Sequence, residues 1–340
     1  MTLDVLVAGG GPVGLAAAIE ARMRGLSVTV VEPRAGSIDK ACGEGLMPGA
    51  LPALARLGVD PAGQPLRGVS YRDGRRRVDH RFTSGEGRGV RRTVLHAALH
   101  ARAVELGTRF VRGRVEGVTQ DADGVEAAGI RARYLLAADG LHSTVRRGLG
   151  LERPVRRRGR RFGLRRHYHL EPESDLIEVY WSASVEAYLT PVGDGIMGVA
   201  LLGRRGVDFD TAIAGIPDLA RRLAGAEPAS ALRGAGPFRQ RSVRPSSGRV
   251  LLVGDASGYV DAITGEGIRV GLAQAQAALD CVEFDVPEIY ADAWAARTRD
   301  FRVLTGGLVA AATSPLRRAI VPVAHRLPRV YGAAIERLAR

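Results

Sequence analysis

The chain has 340 residues, of which 46% are hydrophobic and 25% charged, so it can bury a sizeable core and is not disordered throughout. Its two cysteines, Cys42 and Cys281, exclude a disulfide scaffold and a cysteine-rich zinc module, and they predict a cytoplasmic location. The formal net charge is +13, and eight of the fourteen residues from Arg153 to Arg166 are arginine. Because no nucleic-acid-binding motif accompanies this charge, we expect a solvated face and no nucleic acid partner.

The first 32 residues predict a strand–helix–strand unit. Two apolar strands, Leu3–Ala8 and Ser27–Val31, flank an alanine-rich helix over Leu15–Arg24. No apolar run in the chain approaches the roughly 20 residues of a membrane span, and we expect no signal peptide. Parallel strands that are joined by a helix have this layout.

Three glycines follow the first strand in the pattern Gly9-x-Gly11-x-x-Gly14, and Glu32 ends the second strand. Gly9 permits a tight turn, Gly11 lets a pyrophosphate approach the helix N-terminus, and Gly14 lets the helix and the strand pack closely. A carboxylate at position 32 accepts hydrogen bonds from a ribose diol and disfavours a 2′-phosphate. The unit therefore predicts a site for the ADP half of FAD or NAD.

Beyond this unit, segments typical of a parallel sheet alternate along the chain with segments typical of antiparallel strands. In chain order, the sequence predicts a helix over Gly49–Leu57, antiparallel strands over 66–83, a helix over Arg92–Leu106, short strands over Thr108–Gly129, a buried strand over Tyr134–Ala138, strands over 160–202, a buried strand over Arg249–Val253, a helix over Glu266–Val282 and a helical C-terminus.

The predicted fold class is α/β: a Rossmann-like domain with an inserted antiparallel β-sheet domain and a helical C-terminal segment. We expect the Rossmann-like domain to be discontinuous and to comprise residues 1–65, 91–152 and 242–285. The inserted substrate-binding sheet would take residues 66–90 and 153–241, and the helical segment residues 286–340.

Two further motifs place an aspartate beside a glycine at the end of a buried strand. The first is Asp139-Gly140, and the second is Gly254-Asp255, which leads to Thr264-Gly265-Glu266-Gly267-Ile268. Ligands of open α/β sheets bind at this edge. The helix that begins near Gly267 would direct its N-terminus at a polar ring edge or a phosphate.

In this order and spacing, the GxGxxG turn with Glu32, the ADGxxSxVR segment and the GDAxG…GEGI segment resemble the FAD-dependent oxidoreductases that include aromatic hydroxylases and geranylgeranyl reductases. The resemblance covers almost the whole chain and implies bound FAD. It also implies a set of cofactor contacts: Gly11 and Gly14 at the pyrophosphate, Glu32 at the adenosine ribose, Arg92 of the RxxL helix, Val115 by the adenine, Asp255 at the ribityl or pyrophosphate region, and Gly267 and Ile268 at the flavin pyrimidine edge. Gly9 and Gly265 are also predicted to belong to the cofactor site.

The loop Lys40-x-Cys42-Gly43-Glu44-Gly45 looks like the KxCGxG loop of the geranylgeranyl reductase branch, and the GEGI ending looks like that branch too. We predict that Cys42 and Glu44 are catalytic and lie on the substrate side of the flavin. Hydride transfer to an alkene needs a proton at the second carbon, and both groups can supply one. The alternative is that this loop only closes over the cofactor.

The expected reaction is reduction of a carbon–carbon double bond in a lipophilic small molecule, with NAD(P)H as electron donor. Oxygen-dependent hydroxylation or epoxidation is the alternative within the superfamily, and a non-catalytic lipid-binding protein is the alternative of another class. Trp181 and Tyr188 loosely match substrate-sheet motifs of the reductase branch, although core aromatics would give the same pattern.

The remaining expectations concern metals and partners. His167-x-His169 has no third or fourth partner in view, so no metal site is expected. Arginines alternate with apolar residues in the C-terminal helices, as in helices that lie on a membrane surface, so peripheral contact with anionic membranes is expected. The oligomeric state is left open.

Overall fold

The computed structural model describes residues 2–155 and 160–339. Part of the arginine-rich stretch, residues 156–159, lies outside the described residues. The first sheet has eight strands and a parallel core. Its main path runs, in spatial order, through Ser246–Ser247, Val250–Leu252, Ile130–Ala137, Leu3–Ala8, Val28–Glu32 and Arg109–Arg112, and the hairpin Val118–Gln120 with Val125–Ala127 joins Ile130–Ala137.

The helix Pro12–Met23 lies at the centre of the packing on this sheet. Its residues from Gly14 to Ala21 are buried all round, because small alanines let neighbouring elements approach from several sides. The helices that pack around the sheet are Arg92–Glu105, Gly267–Glu283 and Tyr290–Ala312, with Ala50–Arg56 beside Gly267–Glu283. A short helix, Thr144–Gly148, follows the strand Ile130–Ala137.

The second sheet has seven strands and is mostly antiparallel. In spatial order they are Arg233–Ala235, Arg161–His169, Ile196–Arg204, Glu186–Gly193, Leu176–Trp181, Gly68–Arg72 and Arg77–Arg81. Leu176–Trp181 and Gly68–Arg72 pair in parallel, which joins the early hairpin to the later strands in a single sheet. Each sheet therefore takes its strands from separated parts of the chain.

Two helices that the sequence analysis did not predict, Phe209–Ala214 and Pro217–Arg222, cover one face of the second sheet. Their buried residues, Phe209, Ile213 and Leu219, pack with Val199 and Leu201. The other face looks toward the first sheet. Small sheets complete the fold: Gly45–Leu46 and Gln64–Leu66 flank Gly87–Gly89, and Gln240–Arg241 pairs with Gly258–Tyr259.

The C-terminal segment is helical, as predicted. After Tyr290–Ala312 come a 3₁₀ turn, Pro315–Ala319, and the helices Ile320–Arg326 and Pro328–Ala339, both of which contact the edge strand Arg77–Arg81. In residues 2–155 and 160–339, no helix has the length and apolar character needed to cross a membrane. The α/β class with two sheets and a helical C-terminus confirms the predicted fold class.

Candidate functional site

A cavity of about 490 Å³ lies between the two sheets, within the range of small-molecule and cofactor sites. One part, the glycine-rich half, is lined by residues that follow the strands of the first sheet. It includes every arginine, lysine, aspartate and glutamate that lines the cavity in the described chain: Arg34, Lys40, Glu44, Arg92, Asp139 and Asp255. The other part, the apolar half, is lined by the second sheet and the last helix, chiefly through Val69, Tyr71, Ile177, Val179, Leu202, Ile335 and Leu338, and by Phe238 of the loop after Arg233–Ala235.

The glycine turn has the geometry that its sequence predicts. Gly9 has φ of +100°, and a Cβ there would lie 2.6 Å from the carbonyl oxygen of Ala138. A Cβ at Gly14 would lie 1.9 Å from the carbonyl oxygen of Gly9, so this glycine is required for packing. A Cβ at Gly11 would meet no atom within 4 Å. Gly11 lines the cavity, and no side chain caps the helix that it begins, so this space suits an anionic group.

Glu32 lies beside this turn as predicted, and its carboxylate is ionised. One oxygen accepts a hydrogen bond from the Gly10 amide at 2.8 Å, and the other accepts one from Arg34 Nε at 2.7 Å. Burial opposes ionisation, but the hydrogen bonds from Arg34 and Gly10 outweigh it and lower the pKa of Glu32. A ribose diol at Glu32 would share this carboxylate with Arg34.

Arg92 is a buried cation at the cavity wall. Its backbone amide donates to Glu44 Oε1 at 2.8 Å, while its Nη1 has no hydrogen-bond partner among the described residues. Burial lowers the pKa of the guanidinium. Because an unpaired buried cation is costly, its position suits a negatively charged or carbonyl-bearing ligand.

The third motif also lines the glycine-rich half. Asp255 lines the cavity and forms an ion pair with Lys40 at 3.2 Å. Gly265, with φ of +73°, turns the chain into the helix Gly267–Glu283, and Gly267 and Ile268 line the cavity at its uncapped N-terminus. The open space at Gly11, the unpaired Arg92 and this helix start are features that FAD would occupy and satisfy.

Buried Arg146 connects the second and third motifs. Its side chain has no solvent exposure, and it donates to the carbonyls of Ala256 at 2.9 Å and Leu141 at 3.0 Å. Asp139 accepts from the Thr144 amide at 2.7 Å, the first amide of the following short helix, whose N-cap is Ser143. These contacts hold two segments, more than 100 residues apart in sequence, at one edge of the sheet.

Five of the predicted site residues do not line the cavity: Gly9, Gly14 and Glu32, which lie at or beside the glycine turn, and Val115 and Trp181. The Val115 side chain packs with core residues of the first sheet, such as Leu6 and Leu135, and its carbonyl accepts from Thr144 Oγ1 at 3.0 Å. Trp181 shares a strand face with Ile177 and Val179 but lies at the strand end, where its ring packs against Tyr71 at 5.4 Å and under the Arg317 guanidinium. Trp181 therefore lies behind the wall, and Tyr71 lines the cavity at this point.

Tyr188, by contrast, lines the apolar half. Its hydroxyl donates to the carbonyl of Ile263 at 2.9 Å, and burial raises its pKa, so the phenol is neutral. This bond connects the second sheet to the loop that leads to Gly265.

The predicted catalytic loop lies where the two halves meet, and both of its candidate residues line the cavity. Glu44 is buried with φ of +59°, an uncommon conformation for a non-glycine residue. Its Oε2 bonds to His167 Nε2 at 2.5 Å, and its Oε1 accepts from the Arg92 amide, so the carboxylate is held from two sides. Cys42 is only half-buried, and its Sγ accepts from the Glu44 amide at 3.4 Å.

The sequence analysis did not predict that the strand Arg161–His169 presents a buried polar face. Alternation places Arg161, Arg165 and His167 on one buried face, and that alternation was the available signal. His167 also contacts Ser230 Oγ at 3.0 Å, and Arg161 pairs with Glu186 at 2.6 Å. Arg161 also pairs with Asp261, whose pKa burial raises to about 6. Within the described ranges, no three metal-ligating side chains form a group that could hold a metal ion.

Comparison with known families matches residues 2–200 to the family described as FAD binding domain. Among curated proteins, the chain is 29% identical to the menaquinone reductase of Mycolicibacterium smegmatis, over 86% of this chain and 79% of that protein. It is 28% identical to digeranylgeranylglycerophospholipid reductase 2 of Methanopyrus kandleri, over 80% of this chain and 74% of that protein. It is 26% identical to the rifampicin monooxygenase of Streptomyces venezuelae, over 80% of this chain and 62% of that protein.

The fold is also found among solved structures. A flavoprotein/dehydrogenase from Cytophaga hutchinsonii superposes with a TM-score of 0.84 at 19% identity, covering 100% of this chain and 93% of that one. At this level of identity the likeness concerns the fold alone.

Proposed function

The chain belongs to the FAD binding domain family and is an FAD-dependent oxidoreductase, and from this premise we propose that it reduces a carbon–carbon double bond in a polyprenyl lipid. The single observation that carries the proposal is the composition of the cavity. In the described chain, the second sheet and the last helix contribute no charged side chain to its lining, and the Cys42 loop lies between that wall and the glycine-rich half. An apolar chain fits beside the expected place of the flavin.

The names of the relatives support the same substrate class. Menaquinone and digeranylgeranylglycerophospholipid, named for the two reductases, both carry polyprenyl chains. A polyprenyl chain is a series of isolated double bonds in an apolar chain, which matches the aliphatic and aromatic lining of the apolar half.

Bound FAD in its reduced form supplies a hydride, and NAD(P)H is the proposed source of its electrons. The Gly9–Gly14 turn, Glu32 and Arg92 hold the cofactor. The apolar half excludes water and aligns the alkene. Cys42, half-buried at the junction, donates a proton to the second carbon, and its thiolate regains a proton from solvent. Glu44, held by Arg92 and His167, fixes the loop that carries Cys42.

A monooxygenase reaction is the second candidate, because a relative matched over 80% of this chain is named rifampicin monooxygenase. In that reaction, the same cavity would exclude water while oxygen reacts at the cofactor. The two candidates differ in whether substrate alone reoxidises the reduced protein.

The deciding experiment uses the purified holoenzyme under anaerobic conditions. The flavin is reduced with dithionite, excess reductant is removed, and menaquinone or digeranylgeranylglycerophospholipid is added while flavin absorbance is followed. The proposal expects reoxidation without oxygen and a lipid product two hydrogens heavier. Because a quinol returns to the quinone in air, the added mass must persist after exposure of the product to air. Reoxidation that requires oxygen, with an oxygenated product, would identify a monooxygenase instead.

A further inference from the structure

The junction of the last two helices forms an exposed corner. Six consecutive residues, His325–Val330, are all exposed, and we call them the C-terminal corner. They include two large apolar side chains, Leu327 at 51% and Val330 at 62% exposure. Val323, one turn before Leu327 on the helix Ile320–Arg326, is 50% exposed. Three large exposed apolar side chains thus lie within eight consecutive residues of the chain.

The charge around the corner has one sign. The stretch from Phe301 to Ile335 contains no aspartate or glutamate. Arg318, Arg326 and Arg329 are exposed, and none of the three forms an ion pair within 4.0 Å among residues 2–155 and 160–339. Some exposed arginines in other parts of the described chain pair, such as Arg76 with Asp73 at 3.2 Å, and others, such as Arg205, do not. The corner therefore differs in that acidic residues are absent from the whole stretch around it.

The opposite side of the last helix fixes the corner to the body of the protein. Glu336 accepts from the Thr83 amide at 2.7 Å and bonds to His80 at 2.8 Å, and the Tyr331 hydroxyl donates to the carbonyl of Val69 at 3.2 Å. Ile335 and Leu338 line the cavity. One helix thus has the cavity wall on its inner face and the corner at its beginning.

We propose that the C-terminal corner docks on the surface of an anionic lipid bilayer. Unpaired arginines match the anionic headgroups, and each contributes about a fivefold gain in partition near such a surface. Leu327 and Val330 reach the boundary between headgroups and acyl chains, as apolar side chains of interfacial helices do. A second copy of this chain fits less well, because two such corners would bring like-charged arginines together.

Docking goes beyond the proposed reaction and does not depend on it. It would bring the wall formed by Ile335 and Leu338 near the phase in which polyprenyl lipids dissolve. Vesicle binding is measured without turnover, so a failure of the reaction and a failure of docking give separate results.

The test is co-sedimentation of the full-length holoenzyme with vesicles at low salt. One set of vesicles is pure phosphatidylcholine, and the other contains phosphatidylglycerol as well. If the corner docks, we expect the protein to bind only the vesicles that contain phosphatidylglycerol and to be released at high salt. The double variant Arg326→Glu/Arg329→Glu should bind them at least tenfold more weakly. The double variant Leu327→Ser/Val330→Ser should lose binding without any change in charge.

A matched control carries the same charge change at exposed turns of the second sheet, Arg75→Glu/Arg205→Glu. Thermal unfolding and FAD content establish that each variant is folded. Equal binding to neutral and anionic vesicles, or an equal loss in the control, would overturn the proposal. So would light scattering that shows a dimer which Leu327→Ser/Val330→Ser dissociates, because the corner would then be a contact between chains.

Discussion

The glycine-rich half of the cavity and its apolar half obtain their shapes from different sources. The glycine-rich half depends on backbone geometry within short motifs, as at Gly9 and Gly14, where a side chain would collide with a carbonyl oxygen. The apolar half depends on side chains of strands and a helix that lie far apart in the chain, such as Val69, Leu202 and Leu338. In the glycine-rich half, adding a single carbon atom to a glycine should therefore disturb the structure. The apolar half should tolerate exchange between apolar side chains of similar size.

The largest expected effect is a difference in stability between variants at two glycines of one motif. Gly14→Val places a side chain 1.9 Å from the Gly9 carbonyl oxygen, so we expect the free energy of unfolding to fall by about 3 kcal/mol or more, with loss of FAD. Gly11→Ala meets no protein atom within 4 Å, so the FAD-free protein should keep its stability. Its methyl group would occupy the place of the pyrophosphate and weaken FAD binding by about tenfold or more, about 1.4 kcal/mol.

Both variants are measured by thermal unfolding of the FAD-free protein and by FAD titration. Equal stability losses in the two variants would contradict the separate roles of packing and cofactor approach. Full FAD affinity in Gly11→Ala would remove the assignment of the pyrophosphate site.

The second prediction concerns Arg146, which connects the second and third motifs. Arg146→Ala removes the donors to the carbonyls of Ala256 and Leu141 and leaves both buried. We expect a loss of about 2–4 kcal/mol in the free energy of unfolding, measured by denaturant titration. The neighbouring Arg147 is exposed, so Arg147→Ala is the matched control and should change stability little. A similar loss in both variants would show that removing an arginine charge from this helix, and not the loss of the buried contacts, decides the effect.

The third prediction tests the residue at the junction of the two halves. Cys42→Ala should leave FAD content and flavin reduction nearly unchanged and slow substrate-dependent reoxidation by about tenfold or more. Stopped-flow absorbance under anaerobic conditions measures both steps. Cys281→Ala, at a thiol buried in the core, is the control and should leave the reoxidation rate unchanged. Unchanged turnover in Cys42→Ala, or an empty flavin site, would make Cys42 a structural residue.

The smallest expected effect is a pH dependence of the stability, and it arises from Glu336 on the last helix. Burial opposes ionisation of Glu336, but hydrogen bonds from His80 and Thr83 lower its pKa to about 2 from an ordinary 4.5. A lowered pKa in the folded state stabilises the protein above the unfolded value, and this stability is lost as pH falls from 4.5 toward 2. Thermal unfolding across this range should show a shallower slope for Glu336→Gln than for the wild type. Glu288→Gln, at an exposed carboxylate, should retain the wild-type slope.

Short stretches of sequence are enough to predict the local parts of the site. The Gly9–Gly14 turn, Glu32 and the helix start at Gly267 each follow from a few consecutive residues, because positive φ, absent Cβ atoms and helix ends are local properties. The strand Leu3–Ala8 and the helix Arg92–Glu105 likewise lie where hydrophobic periodicity predicts them.

The packing of distant elements against one another places the side chains that share the cavity. Periodicity places Ile177, Val179 and Trp181 on one strand face, but only the packing of Tyr71 and Arg317 over the strand end separates Trp181 from the other two. His167 meets Glu44 across 123 residues of sequence, and the last helix closes a wall that begins at Val69. Such contacts depend on how separate elements pack in space, and no short stretch of sequence contains that information.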